Sequence, residues 1–299
     1  MSLSEDPNWP RASAWLSGAF IPGQPAARLS VLGAPLRLGS ITPGRCDLAP
    51  TAIRRALERY SPYDVATGRD LRAVAARDQG DLDVAALGPE AAYEPIHAAV
   101  RSALSHSHAV VMLGGDNSIT RPGVRALGGD CGLLTFDAHF DLRDADRGLT
   151  NGNPIRALLG DGMPGNRIVQ IGIQSFANSR AYTEIARAAG IKFYTVDCVR
   201  ARGIEAIVRE AFELLAGRSL YVDLDVDVLD RAYSPATPGS RPGGLHPGEI
   251  RRAAHLCGAN PRVRAMDLVE VDPEKDINDT TCLAAASFLL EFASGLLER

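Results

Sequence analysis

Short apolar runs recur along the chain at residues 29–33, 109–113, 132–136, 167–171, 192–196, 220–228 and 263–269, with segments of helix length between many of them. Strands buried on both faces read this way, because helices cover the sheet from either side and no face alternates with solvent. The intervening segments at 50–60, 88–105, 179–189, 205–216 and 280–297 carry apolar residues at helical spacing. Together they predict an α/β fold with a parallel sheet between two helical layers. Ligands of such sheets gather at the carboxyl ends of the strands, where the loops are free to carry chemistry.

Composition narrows the function classes. The chain has 299 residues, 45% of them hydrophobic, enough for a large core. No repeat or low-complexity tract divides it, and its longest Gly/Pro-rich stretch, 234–248, falls between regular elements, so one domain over 1–299 is expected. A formal net charge of -4 without a lysine/arginine block excludes nucleic acid and anionic membrane as electrostatic partners. The first ten residues carry Glu5 and Asp6 rather than a basic flank, and no apolar stretch is long enough to span a bilayer, so a cytoplasmic protein is expected. Cys46, Cys131, Cys198, Cys257 and Cys282 are odd in number and lack C-x-x-C pairing, so they read as buried free thiols. His97, His106, His108, His246 and His255 fit no ligand spacing.

The polar clusters follow the apolar runs directly. Gly114, Gly115, Asp116, Asn117 and Ser118 follow the second; Asp137, Ala138, His139, Phe140 and Asp141 follow the third. The sixth run contains Asp223, Asp225 and Asp227, and the last carries Asp267 and Glu270. Asp116 by itself reads as a helix-capping residue. In an extended chain residues two apart face the same way, so Asp137, His139 and Asp141 are expected to converge, as are Asp225 and Asp227. Crowded aspartates repel and raise one another's pKa unless cations neutralise them. Four aspartate charges match two divalent ions. Ligation by oxygen with one imidazole suits Mn²⁺ better than a thiolate-seeking metal, and a water between two such ions becomes a nucleophile near neutral pH.

The strings GGDNS (114–118), DAHFD (137–141), DLDVDVLD (223–230) with PATPG (235–239), and DLVEVDP (267–273) resemble, in order and separation, the signature segments of the ureohydrolases: arginase, agmatinase and formimidoylglutamase. PGRCDLAPTAIR (43–54) is similar to that family's first loop and helix. The resemblance spans about residues 29–290, leaving 1–28 as an N-terminal extension. It implies a three-layer αβα arrangement around a mostly parallel eight-stranded sheet, two Mn²⁺ ions, and a homo-oligomer. It also implies site roles: Asp137 and Asp225 bridging the ions, Asp141 on the first, and His139 with Asp227 on the second. Asp141 would in addition move the proton of the catalysis, and Glu270 would face the cationic amidino group of a small-molecule substrate. Two positions depart from the family pattern. Asn117 stands where most members have a histidine ligand, so the first ion should bind weakly, and Asp223 adds a carboxylate one step deeper.

Residues 137–143 with the NGNPIR segment, 151–156, look most like formimidoylglutamase, and the loop 143–159 lacks the histidine usual in arginases and agmatinases. Arg143, Arg147, Arg156 and Arg241 flank the expected crevice, and a guanidinium fork suits the two carboxylates of a glutamate derivative. Arg143, Asn151, Asn153, Arg156 and Glu270 are therefore the candidate substrate contacts. The expected reaction is hydrolysis of N-formimidoyl-L-glutamate to glutamate and formamide, a step of histidine breakdown. The alternatives are an agmatinase- or arginase-type hydrolase that releases urea, and a metal-poor family member with a binding role.

Overall fold

A computed structural model describes residues 6–18 and 27–299. Eight strands form one sheet: β1 (Ala27–Ala34), β2 (Ala76–Asp81), β3 (Ser107–Gly114), β4 (Cys131–Phe136), β5 (Ile168–Ile173), β6 (Lys192–Thr195), β7 (Ser219–Asp225) and β8 (Val263–Val269). Their spatial order is β2-β1-β3-β8-β7-β4-β5-β6, and every neighbouring pair is parallel. All seven apolar runs are strands, although the run at 220–228 leaves the sheet at Asp225. The eighth strand, β2, has the sequence ARDQGD and no apolar run. As an edge strand it pairs only with β1 and exposes most of its side chains, so backbone pairing alone holds it.

Alternate strand residues feed two separate cores. Ala109, Val111 and Leu113 of β3 face the helices Ala49–Ala56, Ile204–Leu214, Pro247–Ala259 and Thr280–Leu296, whereas Val110 and Met112 face Pro89–His106, Thr120–Ala126 and Pro154–Gly160. The expected three layers are present. Thr280–Leu296 is apolar nearly all round because it is sandwiched between Pro247–Ala259 and Ala49–Ala56. Pro247–Ala259 starts on a capping box made by His246 and Glu249, and Arg180–Ala189 stops at Gly190 in the left-handed region.

Three details differ from the sequence reading. Trp15, in the stretch expected to be an extension, is buried in the first core and donates to Val74 O at 2.9 Å. Cys198 is exposed; the other four cysteines are buried and free. A two-stranded hairpin, Tyr63–Asp64 with Arg69–Asp70, lies apart from the main sheet. Among the described residues no helix is long and apolar enough to cross a membrane.

Candidate active site

The four strands that end in polar clusters, β3, β8, β7 and β4, are consecutive neighbours in the middle of the sheet. Their carboxyl ends therefore deliver Asn117, Glu270, Asp225 with Asp227, and Asp137 to Asp141 to one place. The convergence is not the strand alternation expected. β4 ends at Phe136, and the next five residues turn, with Asp141 at φ 54° in the left-handed region. Asn178 fixes this turn, accepting from Phe140 N and donating to Ala138 O, each at 2.9 Å. Asp225 ends β7 and accepts from Asp227 N at 2.8 Å, which folds the chain into a 3-10 turn and aims Asp227 back at the cluster. Glu270 also has positive φ, 67°, and its N–H is held by Gly115 O at 3.0 Å. Asp116 caps the turn after β3, accepting from Ser118 N and Gly39 N.

Asp137, His139 and Asp227 present ligand atoms that all lie within 4.8 Å of one another. His139 Nδ1 is 2.8 Å from Asp227 Oδ2 and 3.4 Å from Asp137 Oδ1. Gly239 closes over them: a Cβ there would lie 2.1 Å from Asp227 Oδ2 and 3.1 Å from His139 Cε1. Only glycine fits so close an approach. Asp141 and Asp225 line the same cavity, and Asn117 sits behind Asp141, its Nδ2 2.7 Å from Asp141 Oδ2.

Electrostatics provides the test of whether these residues fit divalent cations. Burial, then the charges of neighbours, pushes Asp137 up to about 6 and Asp141 and Asp225 well above the usual carboxylate range. Glu270 is raised to about 8 by burial and by Asp116, despite donors from Asn117 N and Asn151 Nδ2 on its Oε1. Burial opposes charge at His139 and Asp227 as well, yet their mutual attraction prevails. The imidazole is raised to about 11 and Asp227 is lowered, and Arg241 Nη1 lies 2.8 Å from His139 Nε2. A set of hard oxygen donors short of positive charge, with one imidazole among them, is the chemistry that Mn²⁺-like ions satisfy.

One layer deeper lies a group that sequence reasoning did not assemble. Asp223 and Asp267 are register partners on β7 and β8. Among the described residues neither Asp223 oxygen has a donor, so the two carboxyls coexist only by retaining a proton between them. Tyr221 and Thr120 hydroxyls lie 2.7 and 2.8 Å from Asp267 Oδ2. Asp223 itself is raised by burial and by Asp267. This pair is absent from the cavity lining.

The cavity has a volume of about 230 Å³. His139, Asp141, Asp225, Asp227 and Glu270 line it, along with Arg143, Asn151 and Arg241. Of the candidate substrate contacts, then, the fold brings Arg143, Asn151 and Glu270 to the cavity. Arg156 pairs instead with Asp144 at 2.7 Å, and Asn153 is buried, holding its loop through Thr150 N, Asp144 O and Gly148 O. Neither lines the cavity. Arg241, flagged in the sequence only as a flanking arginine, does.

Residues 27–295 match the family model described as "Arginase family". The formimidoylglutamase of Halalkalibacterium halodurans is 37% identical over 275 residues, which covers 89% of this chain and 86% of that protein. The crystal structure of formimidoylglutamase from Bacillus subtilis superposes with a TM-score of 0.91 at 31% identity, covering 99% of this chain and 94% of that one. A crystal structure of Trypanosoma cruzi formiminoglutamase with Mn²⁺ gives a TM-score of 0.88 at 25% identity, covering 97% and 99%.

Proposed function

The chain belongs to the arginase family, and from that premise we propose that it is a manganese-dependent hydrolase of a linear amidine, acting on N-formimidoyl-L-glutamate. The observation that carries this reading is the polarity of a single cavity. Carboxylates of Asp141, Asp225, Asp227 and Glu270 line it together with the guanidinium groups of Arg143 and Arg241. A substrate with a cationic amidino head and two carboxylates matches that division, whereas agmatine has no carboxylate to offer the arginines. Relatives that are formimidoylglutamases, one of them crystallised with Mn²⁺, support it.

In this reading Asp137, His139, Asp141, Asp225, Asp227 and Asn117 would hold two ions, the one at Asn117 more weakly because an amide oxygen is a neutral donor. When bound, manganese supplies activation of a water at neutral pH. The remaining steps fall to the protein. Asn117 N and Asn151 Nδ2 hold Glu270 through Oε1 at 2.8 and 2.9 Å, which leaves Oε2 to accept from the amidinium. The arriving cation offsets the burial that otherwise favours the protonated acid. Asp141, ionised when the ions are bound, accepts a proton from the attacking water and returns it to the leaving glutamate nitrogen as the C–N bond breaks. Formamide and glutamate result.

Purified protein loaded with Mn²⁺ should release formamide and glutamate from N-formimidoyl-L-glutamate, and little urea from arginine, agmatine or a guanidino acid. Urea from one of these, with formimidoylglutamate inert, would transfer the activity to the guanidino branch. No turnover of any of them would favour a binding role.

A further inference from the structure

The Asn117 amide is engaged at both ends. Nδ2 lies 2.7 Å from Asp141 Oδ2, and Oδ1 lies 2.6 Å from Thr120 Oγ1. Thr120 is fully buried, and its hydroxyl is also 2.8 Å from Asp267 Oδ2, an oxygen that already receives the Tyr221 hydroxyl. A hydroxyl has one proton to donate. In this orientation it cannot serve both Asn117 Oδ1 and Asp267 Oδ2, so one close contact brings two acceptors together.

Turning the amide by half a rotation exchanges two ends of nearly equal size. Nδ2 then donates to Thr120, Thr120 donates to Asp267, and every donor in the chain has one acceptor. Asn117 Oδ1 now faces Asp141 Oδ2 across the same 2.7 Å gap. Two oxygens so placed repel, unless a cation takes both as ligands. An amide in this position is therefore a ligand or an obstacle according to which end is turned outward, and its inner partner decides between them.

We propose that Thr120, backed by Asp267, is a positioning residue whose hydroxyl turns the Asn117 amide oxygen toward Asp141 and so makes a neutral side chain serve as ligand to the first ion. The proposal rests on the metal-dependent reading above and concerns a residue that never touches the ion.

The test is calorimetric titration of Mn²⁺ into the full, metal-stripped chain as wild type, Thr120→Val and Thr120→Ser, with metal-free thermal melts alongside. Valine keeps the shape but presents a methyl group to Nδ2, so the amide turns its NH₂ outward. Loss of such an orienting partner typically weakens a metal site by about 10- to 100-fold. One of two manganese sites should weaken by that factor in Thr120→Val while the other stays at wild-type affinity, and Thr120→Ser, which keeps the hydroxyl, should bind like wild type. The metal-free melting temperature of Thr120→Val should fall by only about 2–6 °C, the cost of one buried hydroxyl lost to Asp267. Wild-type affinity at both sites in Thr120→Val overturns the proposal. So does a serine variant as weak as the valine one, or equal weakening of both sites accompanied by a collapse of the metal-free melt. A wild-type chain that takes up no manganese defeats the metal-dependent reading itself, before any variant is compared.

Discussion

Raising the pH of the metal-free protein from 5 to 8 should destabilise it, and manganese should remove that loss. Burial and neighbouring carboxylates raise Asp137 from an ordinary 3.8 to about 6 and Glu270 from 4.5 to about 8, and they move Asp141, Asp223 and Asp225 in the same direction. The unfolded chain has released these protons by about pH 5. The folded chain still holds them, so stability declines as pH rises through the interval. His139 acts in the same sense, because Asp227 and Asp137 keep it protonated to about 11 while an unfolded imidazole loses its proton near 6.5. Asp227 is lowered, and its contribution changes only below the ordinary aspartate range, outside this window. At about 1.4 kcal/mol per pH unit, the displacement of Glu270 corresponds to roughly 5 kcal/mol and that of Asp137 to roughly 3 kcal/mol. These neighbours are coupled and do not add. The larger effect alone is comparable with the lower end of domain stability, about 5–15 kcal/mol. About 3.5 kcal/mol of it is lost between pH 5 and 8, which at about 2 °C per kcal/mol for a chain of this size corresponds to a drop of about 7 °C. Scanning calorimetry of chelator-treated protein at several pH values between 5 and 8, with and without MnCl₂, measures it. A metal-free melting temperature that stays flat or rises over this range would refute the electrostatic reading of the site.

Glu270→Gln keeps the shape of the residue but removes the charge proposed to face the amidinium. Loss of a charge-assisted hydrogen bond, about 1.5–3 kcal/mol, should lower kcat/KM for formimidoylglutamate by about 10- to 150-fold without changing metal content; undiminished kcat/KM would take Glu270 out of substrate binding. Arg143→Ala and Arg241→Ala should each raise KM about tenfold or more with little change in kcat, since carboxylates remote from the reacting carbon are held alike before and during the reaction. Steady-state kinetics with KM unmoved in both variants would mean that neither guanidinium holds the substrate. Gly239→Ala drives a methyl group into Asp227 and His139, so metal analysis after gel filtration should find manganese depleted; full occupancy would contradict so close an approach.

Much of this architecture could be read from the chain because strands buried on both faces announce themselves. The run AVVML (109–113) has few other places to go, and the carboxylates that follow such runs are carried to the sheet's rim. The polar edge strand Ala76–Asp81 gives no such signal, since its pairing is specified by β1 rather than by its own side chains. At the site, residue type was informative and direction was not. Asp137, His139 and Asp141 meet through a turn with positive φ, a backbone state that sequence spacing does not encode. Arg156 has the right chemistry but finds Asp144 twelve residues before it, and Asn153 spends its amide on its own loop.

The least legible part was the layer beneath the cavity, and its chemistry explains the division between the two acidic layers. Asp223 and Asp267 are 44 positions apart and meet only because β8 lies beside β7. Both are buried and absent from the cavity lining, and retained protons with the Tyr221 and Thr120 hydroxyls stabilise them. Asp141, Asp225 and Asp227 face the cavity, where cations can enter and a proton on each would spoil their use as ligands. Contact with the cavity rather than acidity separates the layers. Asn117 joins them, with one end of its amide on Asp141 and the other on Thr120 and, through it, Asp267. A change in the deep layer should therefore reach the shallow one through the orientation of that single side chain.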